Sequence, residues 1–103
     1  MDGLAVELDD DHWKTHILEG HPELAPHQEL VIETLKHPEG VYRSRRDLTT
    51  RIYRRTYERV MVGEALVERI DLRVVVREED RLLVTAYFAV ATWRGLGKRI
   101  WPS

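Results

Sequence analysis

At 103 residues the chain has room for one hydrophobic core and not two, and a domain of that size buries roughly two thirds of the surface its unfolded form exposes, enough to fold without metal or cross-links. The absence of cysteine excludes disulfides, a thiolate nucleophile and cysteine zinc sites, and it suits a reducing cytoplasm. The net charge of −2 conceals an asymmetry: residues 1–40 carry 10 Asp/Glu against 2 Lys, whereas residues 41–103 carry 14 Lys/Arg against 8 Asp/Glu.

The start Met1-Asp2-Gly3-Leu4 has neither the basic opening nor the apolar stretch of a secretory signal. Residues 3–8 alternate weakly, as a short edge strand or a tail tied to the core would. Asp9, Asp10 and Asp11 are N-cap residues for a first helix running to about Glu19, with Trp13, Ile17 and Leu18 on its apolar stripe. Gly20 and Pro22 end it. A second helix is predicted from about Glu23 to Lys36, with Leu24, Leu30, Val31 and Leu35 on one face and Pro26 tolerated in the first turn. Pro38 and Gly40 stop that helix.

From Val41 the period becomes two. Val41–Asp47 and Thr50–Tyr57 form a hairpin of arginine-rich strands around Leu48-Thr49. Arg69–Glu78 and Leu82–Val90 form a second hairpin around Glu79-Asp80-Arg81. In the third strand Ile70, Leu72, Val74 and Val76 face the core, opposite Asp71, Arg73 and Arg77. In the fourth, Leu82, Val84, Ala86, Phe88 and Val90 face it, opposite Leu83, Thr85, Tyr87 and Ala89. The nearly apolar run from Leu82 to Ala91 is half the ~20 residues of a membrane helix and reads as a buried strand. Lys98–Trp101 adds an edge strand after a turn at Gly95 and Gly97. The whole is an α+β domain, two N-terminal helices packed on one face of a four- to five-stranded antiparallel sheet, with the other face open.

Seven arginines fall between Arg43 and Arg59, a density that attracts polyanions even on a slightly acidic protein. If Ile52 points to the core, Arg54 and Thr56 follow it, and Arg51, Tyr53, Arg55 and Tyr57 share the open face. A bulge would exchange the two faces. Guanidinium groups interleaved with tyrosine rings suit RNA, gripping phosphates bidentately and stacking on unpaired bases, so Arg43, Arg45, Arg46, Arg51, Tyr53 and Tyr57 are nucleic-acid-binding candidates. The plainer reading has the arginines solvate the strands and pair with the acidic helices.

All five histidines, His12, His16, His21, His27 and His37, lie in the helical part. His12 and His16 are one turn apart, yet no third metal ligand accompanies them. His16 beside Ile17 reads either as a half-buried helix histidine or as a general base able to take a ribose 2′-hydroxyl proton. Thr85 is an ordinary strand threonine or a hydroxyl that holds a phosphate oxygen or orients a neighbouring base, and Lys98 and Arg99 are surface charges, either of which reaches an anion if the last strand pairs beside the fourth. No glycine-rich phosphate loop, serine nucleophile elbow or paired carboxylates occur.

The segments Trp13-Lys14-Thr15-His16-Ile17, His21-Pro22-Glu23, Leu35-Lys36-His37-Pro38, Val74-Val75-Val76 and Val84-Thr85-Ala86-Tyr87, in that order, resemble the phage-associated branch of the barnase–EndoU–colicin–RelE-like (BECR) nucleases. The resemblance covers about residues 10–101 and treats the chain as one domain. It implies a toxin-like or phage-related, metal-independent endoribonuclease using no cofactor. It further implies His16 as acid/base with His21 as alternate, Arg54 or Arg55 neutralising the scissile phosphate, Thr85 positioning it and Lys98 assisting. RNA such as tRNA is the implied substrate, and a protein antitoxin or immunity protein the implied partner. The alternative is a non-catalytic RNA-binding or protein-interaction domain. Tyr42, Tyr53 and Trp101 suggest a homodimer surface, and the ending Ile100-Trp101-Pro102-Ser103 suggests docking on the protein's own core or on a second subunit.

Overall fold

The structure, a computed structural model, describes residues 17–90 and 95–102. The weak strand expected at residues 3–8 and nearly all of the first helix, with His12, Trp13 and His16, lie outside these residues. Its expected end is described: Ile17 is fully buried and Leu18 packs against the core.

Where one helix is predicted from Glu23, the chain instead forms a 3₁₀ helix, Pro22–His27, that runs into helix α1, Gln28–Lys36. Pro26 explains the division. It has no N–H to donate and its ring crowds the carbonyl four residues back, so the backbone keeps the tighter turn until the proline is passed. At the other end the His37 N–H donates to Glu33 O at 2.7 Å, and Pro38 disfavours helical geometry in the residue before it. Leu24 and Val31 are buried and Leu30 and Leu35 pack on the core, as the stripe predicts. Thr34 joins them, its Oγ1 donating to Leu30 O at 2.7 Å.

Five antiparallel strands follow: β1 (Gly40–Ser44), β2 (Thr50–Val62), β3 (Ala65–Arg77), β4 (Leu83–Ala89) and β5 (Leu96–Trp101). Their order is β4-β3-β2-β1-β5, a four-strand meander with β5 returning beside β1. Among the described residues this is an α+β fold with α1 on one face of the sheet. Strands β2 and β3 are longer than predicted, because residues 58–62 and 65–68 continue their hairpin around Gly63-Glu64. Gly63 has φ +62, the left-handed conformation that a two-residue hairpin turn requires and glycine adopts without steric cost.

The faces of β2 are the reverse of those expected when Ile52 is pointed at the main core. Tyr53 pairs with Val41 on one side and Val74 on the other, is 0% exposed and lies in the core with Leu24 and Val31. Tyr57 follows it, its hydroxyl 3.0 Å from Thr34 Oγ1 and donating to Leu30 O at 3.2 Å. Burying two large aromatic rings under the helix outweighs burying one isoleucine. Ile52 instead joins Tyr42, Leu96 and Val75 in a smaller cluster on the second face. Tyr42 and Tyr53 are therefore core residues and not a dimer surface, and Ile100 and Trp101 pack on the protein's own core.

Ile70, Leu72, Val74 and Val76 are buried as predicted. Asp71 and Arg73 lie on the opposite face, but they too are buried, at 1% and 2% exposure. In β4 the pairing passes from Val75↔Thr85 to Val76↔Leu83, so Val84 is an extra residue in a β-bulge. Strict alternation fails there. Leu83 enters the core with Ala86, while Val84 is 38% and Val90 70% exposed. Strand β4 is a half-buried sheet edge and not the fully buried strand its apolar run suggests. No helix among the described residues is long and apolar enough to cross a membrane.

Candidate functional site

The second face of the sheet carries a groove of about 540 Å³. Ile52 and Val75 form its apolar floor beside Arg73, the β4 edge supplies Val84, Thr85 and Tyr87, and the segment after β1 supplies Ser44, Arg46, Asp47 and Thr50. The β-bulge allows Val84 and Thr85 to line it together while Leu83 stays in the core.

The β1–β2 connection holds its shape through its own hydrogen bonds. Ser44 Oγ accepts from the backbone N–H groups of Arg46 and Asp47 at 3.2 and 3.3 Å. Thr50 Oγ1 donates to Asp47 O at 2.8 Å. Asp47 accepts from Thr49 Oγ1 at 2.5 Å and from the Thr49 N–H at 2.9 Å. These bonds, the side-chain one foremost, hold the Asp47 carboxyl below the usual aspartate range. The turn thus presents the exposed Arg46 at the rim.

Beneath the groove lies a buried charge network. Asp71 accepts a bidentate pair from Arg54, Nε to Oδ2 at 3.0 Å and Nη2 to Oδ1 at 2.9 Å. Thr56 Oγ1 donates to Oδ1 at 2.6 Å, and Arg73 Nη2 stands 3.8 Å from Oδ2. Burial by itself raises the Asp71 pKa, but the hydrogen bonds from Arg54 and Thr56 and the charges of Arg54 and Arg73 outweigh it, leaving the carboxyl below its usual range. Arg54 is correspondingly raised, chiefly by its bond to Asp71. The Asp71 carboxylate thus draws two guanidinium groups together on this face of the sheet.

The site residues expected from sequence do not all gather here. Thr85 and Arg46 line the groove. His21 lies near it, its ring centroid 6.2 Å from that of Tyr87. His16 lies outside the described residues. Arg54 has both arms of its fork on Asp71, which leaves its bidentate geometry committed within the protein. Arg55 points to the helix-bearing face, where Nη1 donates to His37 O at 2.6 Å and the guanidinium stands 5.9 Å from the Tyr57 ring. Lys98 is exposed on β5, at the opposite edge of the sheet from Thr85. Tyr53 is fully buried in the core, and Tyr57 is half-buried against it on the helix-bearing face, away from the groove. Arg43 and Arg51 converge on Glu78, Arg43 Nη1 on Oε2 and Arg51 Nη2 on Oε1 at 3.1 Å. Arg45 is exposed in the β1–β2 connection, its backbone N–H donating to Gly95 O at 3.3 Å. Several arginines thus pair with carboxylates of the sheet and its turns, Asp71, Glu78 and Asp80.

Sequence reading missed Arg73 and Tyr87 as groove residues. Their outward alternation in β3 and β4 was legible. What it did not reveal was that the second face is concave at that point. None of the family models, curated proteins or solved structures compared with this chain matches it, so the site's geometry carries the functional reading.

Proposed function

We propose that the groove binds the phosphodiester backbone of RNA and that the protein cleaves it as a metal-independent endoribonuclease. The observation that carries this reading is the meeting of Thr85 and Tyr87 on the β4 edge with Arg73 and Arg46, with the His21 ring 6.2 Å from Tyr87. Those side chains supply a hydroxyl donor, fixed cations and an imidazole, which are the groups such cleavage needs.

In the reaction a base removes the ribose 2′-hydroxyl proton and O2′ attacks phosphorus. The P–O5′ bond breaks as an acid protonates the leaving 5′-oxygen, leaving a 2′,3′-cyclic phosphate and a 5′-hydroxyl. His21 serves as acid/base. Thr85 donates to a non-bridging oxygen, and Arg46 and Arg73 offset the charge that develops on the phosphorane. Placed proton transfer contributes about 10²- to 10⁴-fold and each fixed electrostatic donor about 10²- to 10³-fold. A protein that covers the groove would act as an antitoxin or immunity partner.

The test is cleavage of total tRNA and of a generic single-stranded RNA in EDTA. His21→Ala, Thr85→Val and Arg46→Ala should each lower kcat/KM tenfold or more, whereas Arg55→Ala, on the other face, should leave it unchanged. Absence of cleavage, with salt-dependent RNA binding weakened only by Arg46→Ala, would overturn the enzymatic reading in favour of a binding domain.

A further inference from the structure

Two short turns fix the backbone of His21. Its N–H donates to Ile17 O at 2.9 Å, and its carbonyl accepts from the Leu24 N–H at 3.1 Å. Pro22, with its ring-locked φ, opens the 3₁₀ helix immediately afterwards. The root of the side chain is therefore held from both directions, which leaves the imidazole its own torsions to settle. A carboxylate addresses them: His21 Nδ1 lies 3.2 Å from Glu23 Oε1. Both side chains are half-buried, and the ring centroid lies 6.2 Å from that of Tyr87 in β4.

We infer that Glu23 is a positioning residue for His21, fixing the Nδ1–H tautomer so that the unprotonated Nε2 is the atom available to take a proton at the groove. The inference rests on the ribonuclease reading only for its catalytic consequence. A carboxylate is acceptor-only when ionised, so a neutral imidazole beside it must carry its proton on Nδ1. The two ring nitrogens point away from one another, which directs the Nε2 lone pair away from Glu23. Charge on the carboxylate also favours the imidazolium formed after proton uptake, as in other carboxylate–histidine pairs. Among the described residues, Glu23 from the 3₁₀ helix and Tyr87 from β4 are the titratable groups seen against this ring. The segment His21-Pro22-Glu23 thus has a chemical reason beyond ending one helix and starting the next.

The experiment is side-chain ¹⁵N NMR of the full chain above the histidine titration range, with cleavage kinetics run in parallel. Wild type should show His21 as the Nδ1–H tautomer. Glu23→Ala should move it toward Nε2–H and lower kcat about ten- to hundredfold with KM little changed, the usual scale for loss of an orienting partner. Glu23→Gln, whose amide oxygen still accepts from Nδ1, should keep the tautomer and most of the activity lost in Glu23→Ala. A His21 tautomer that is unchanged in Glu23→Ala overturns the inference, whatever the kinetics. Because the tautomer is read without substrate, a protein that shifts tautomer yet cleaves no RNA sustains the role of Glu23 and refutes the ribonuclease reading alone.

Discussion

Replacing Asp71 by asparagine removes a carboxylate that two buried guanidinium groups share while leaving the shape of the side chain nearly intact. Arg54 loses the charge behind bonds of 2.9 and 3.0 Å, and Arg73, with its side chain 3% exposed, loses a carboxylate 3.8 Å from its Nη2. The asparagine NH₂ also turns a donor toward a donor, either Arg54 or Thr56. Breaking a buried pair by removing one member costs about 3–5 kcal/mol, a large share of the roughly 5–15 kcal/mol by which a domain is stable. At about 4–8 °C per kcal/mol for a domain near 100 residues, Tm should fall by about 12 °C or more. The assay is thermal and urea denaturation followed by circular dichroism at pH 7. A triple replacement, Asp71→Leu with Arg54→Met and Arg73→Met, removes the charges together and should be more stable than Asp71→Asn.

The same network sets an acid limb. Because the folded pKa of Asp71 lies below its unfolded value of about 3.9, its contribution is complete above that value and disappears as pH falls through the folded pKa. Wild type should therefore lose stability below about pH 4, and Asp71→Asn should flatten that limb. An Asp71→Asn protein within about 1 kcal/mol of wild type at pH 7, a value well under the buried-pair cost, would refute this account of the sheet's second face.

Two further outcomes follow from particular contacts. Gly97→Ala would put a Cβ 2.6 Å from Arg43 O, a backbone atom that cannot swing aside, so β5 must shift from β1 at a cost of about 1–3 kcal/mol. Urea unfolding together with faster amide exchange in β5 checks this, and wild-type stability would contradict it. Tyr57→Phe removes the hydroxyl shared with Thr34 and Leu30 O and should cost about 0.5–1.5 kcal/mol without changing RNA affinity, since the ring is in the core. Before substitution, the Tyr57 phenol should ionise above its ordinary range in a spectrophotometric titration, because burial disfavours the phenolate. A drop in RNA affinity on removing this hydroxyl would restore Tyr57 to the binding surface.

The sequence by itself determined the α+β class, the place of α1, the breaks at Pro38 and Gly40, the meander and the core side of β3, because each depends on local propensity or on simple periodicity. It also determined that Thr85 points away from the main core. Tertiary structure decided which face of β2 meets the helix. Alternation divides Arg51, Tyr53, Arg55 and Tyr57 from Ile52, Arg54 and Thr56 but is symmetric between the two sides, and only packing on Leu24, Val31 and Val74 breaks that symmetry in favour of Tyr53. The bulge at Val84 was hidden for a related reason: one extra residue shifts the register of everything on one side of it, and no propensity marks an apolar valine as the residue to be left over. The seven arginines showed their charge in sequence but not their partners, since Asp71 and Glu78 reach Arg54, Arg43 and Arg51 only across strands. The candidate site followed the same division, its residue types legible along the chain and its groove created only when the β1–β2 connection, β2, β3 and β4 fold against one another.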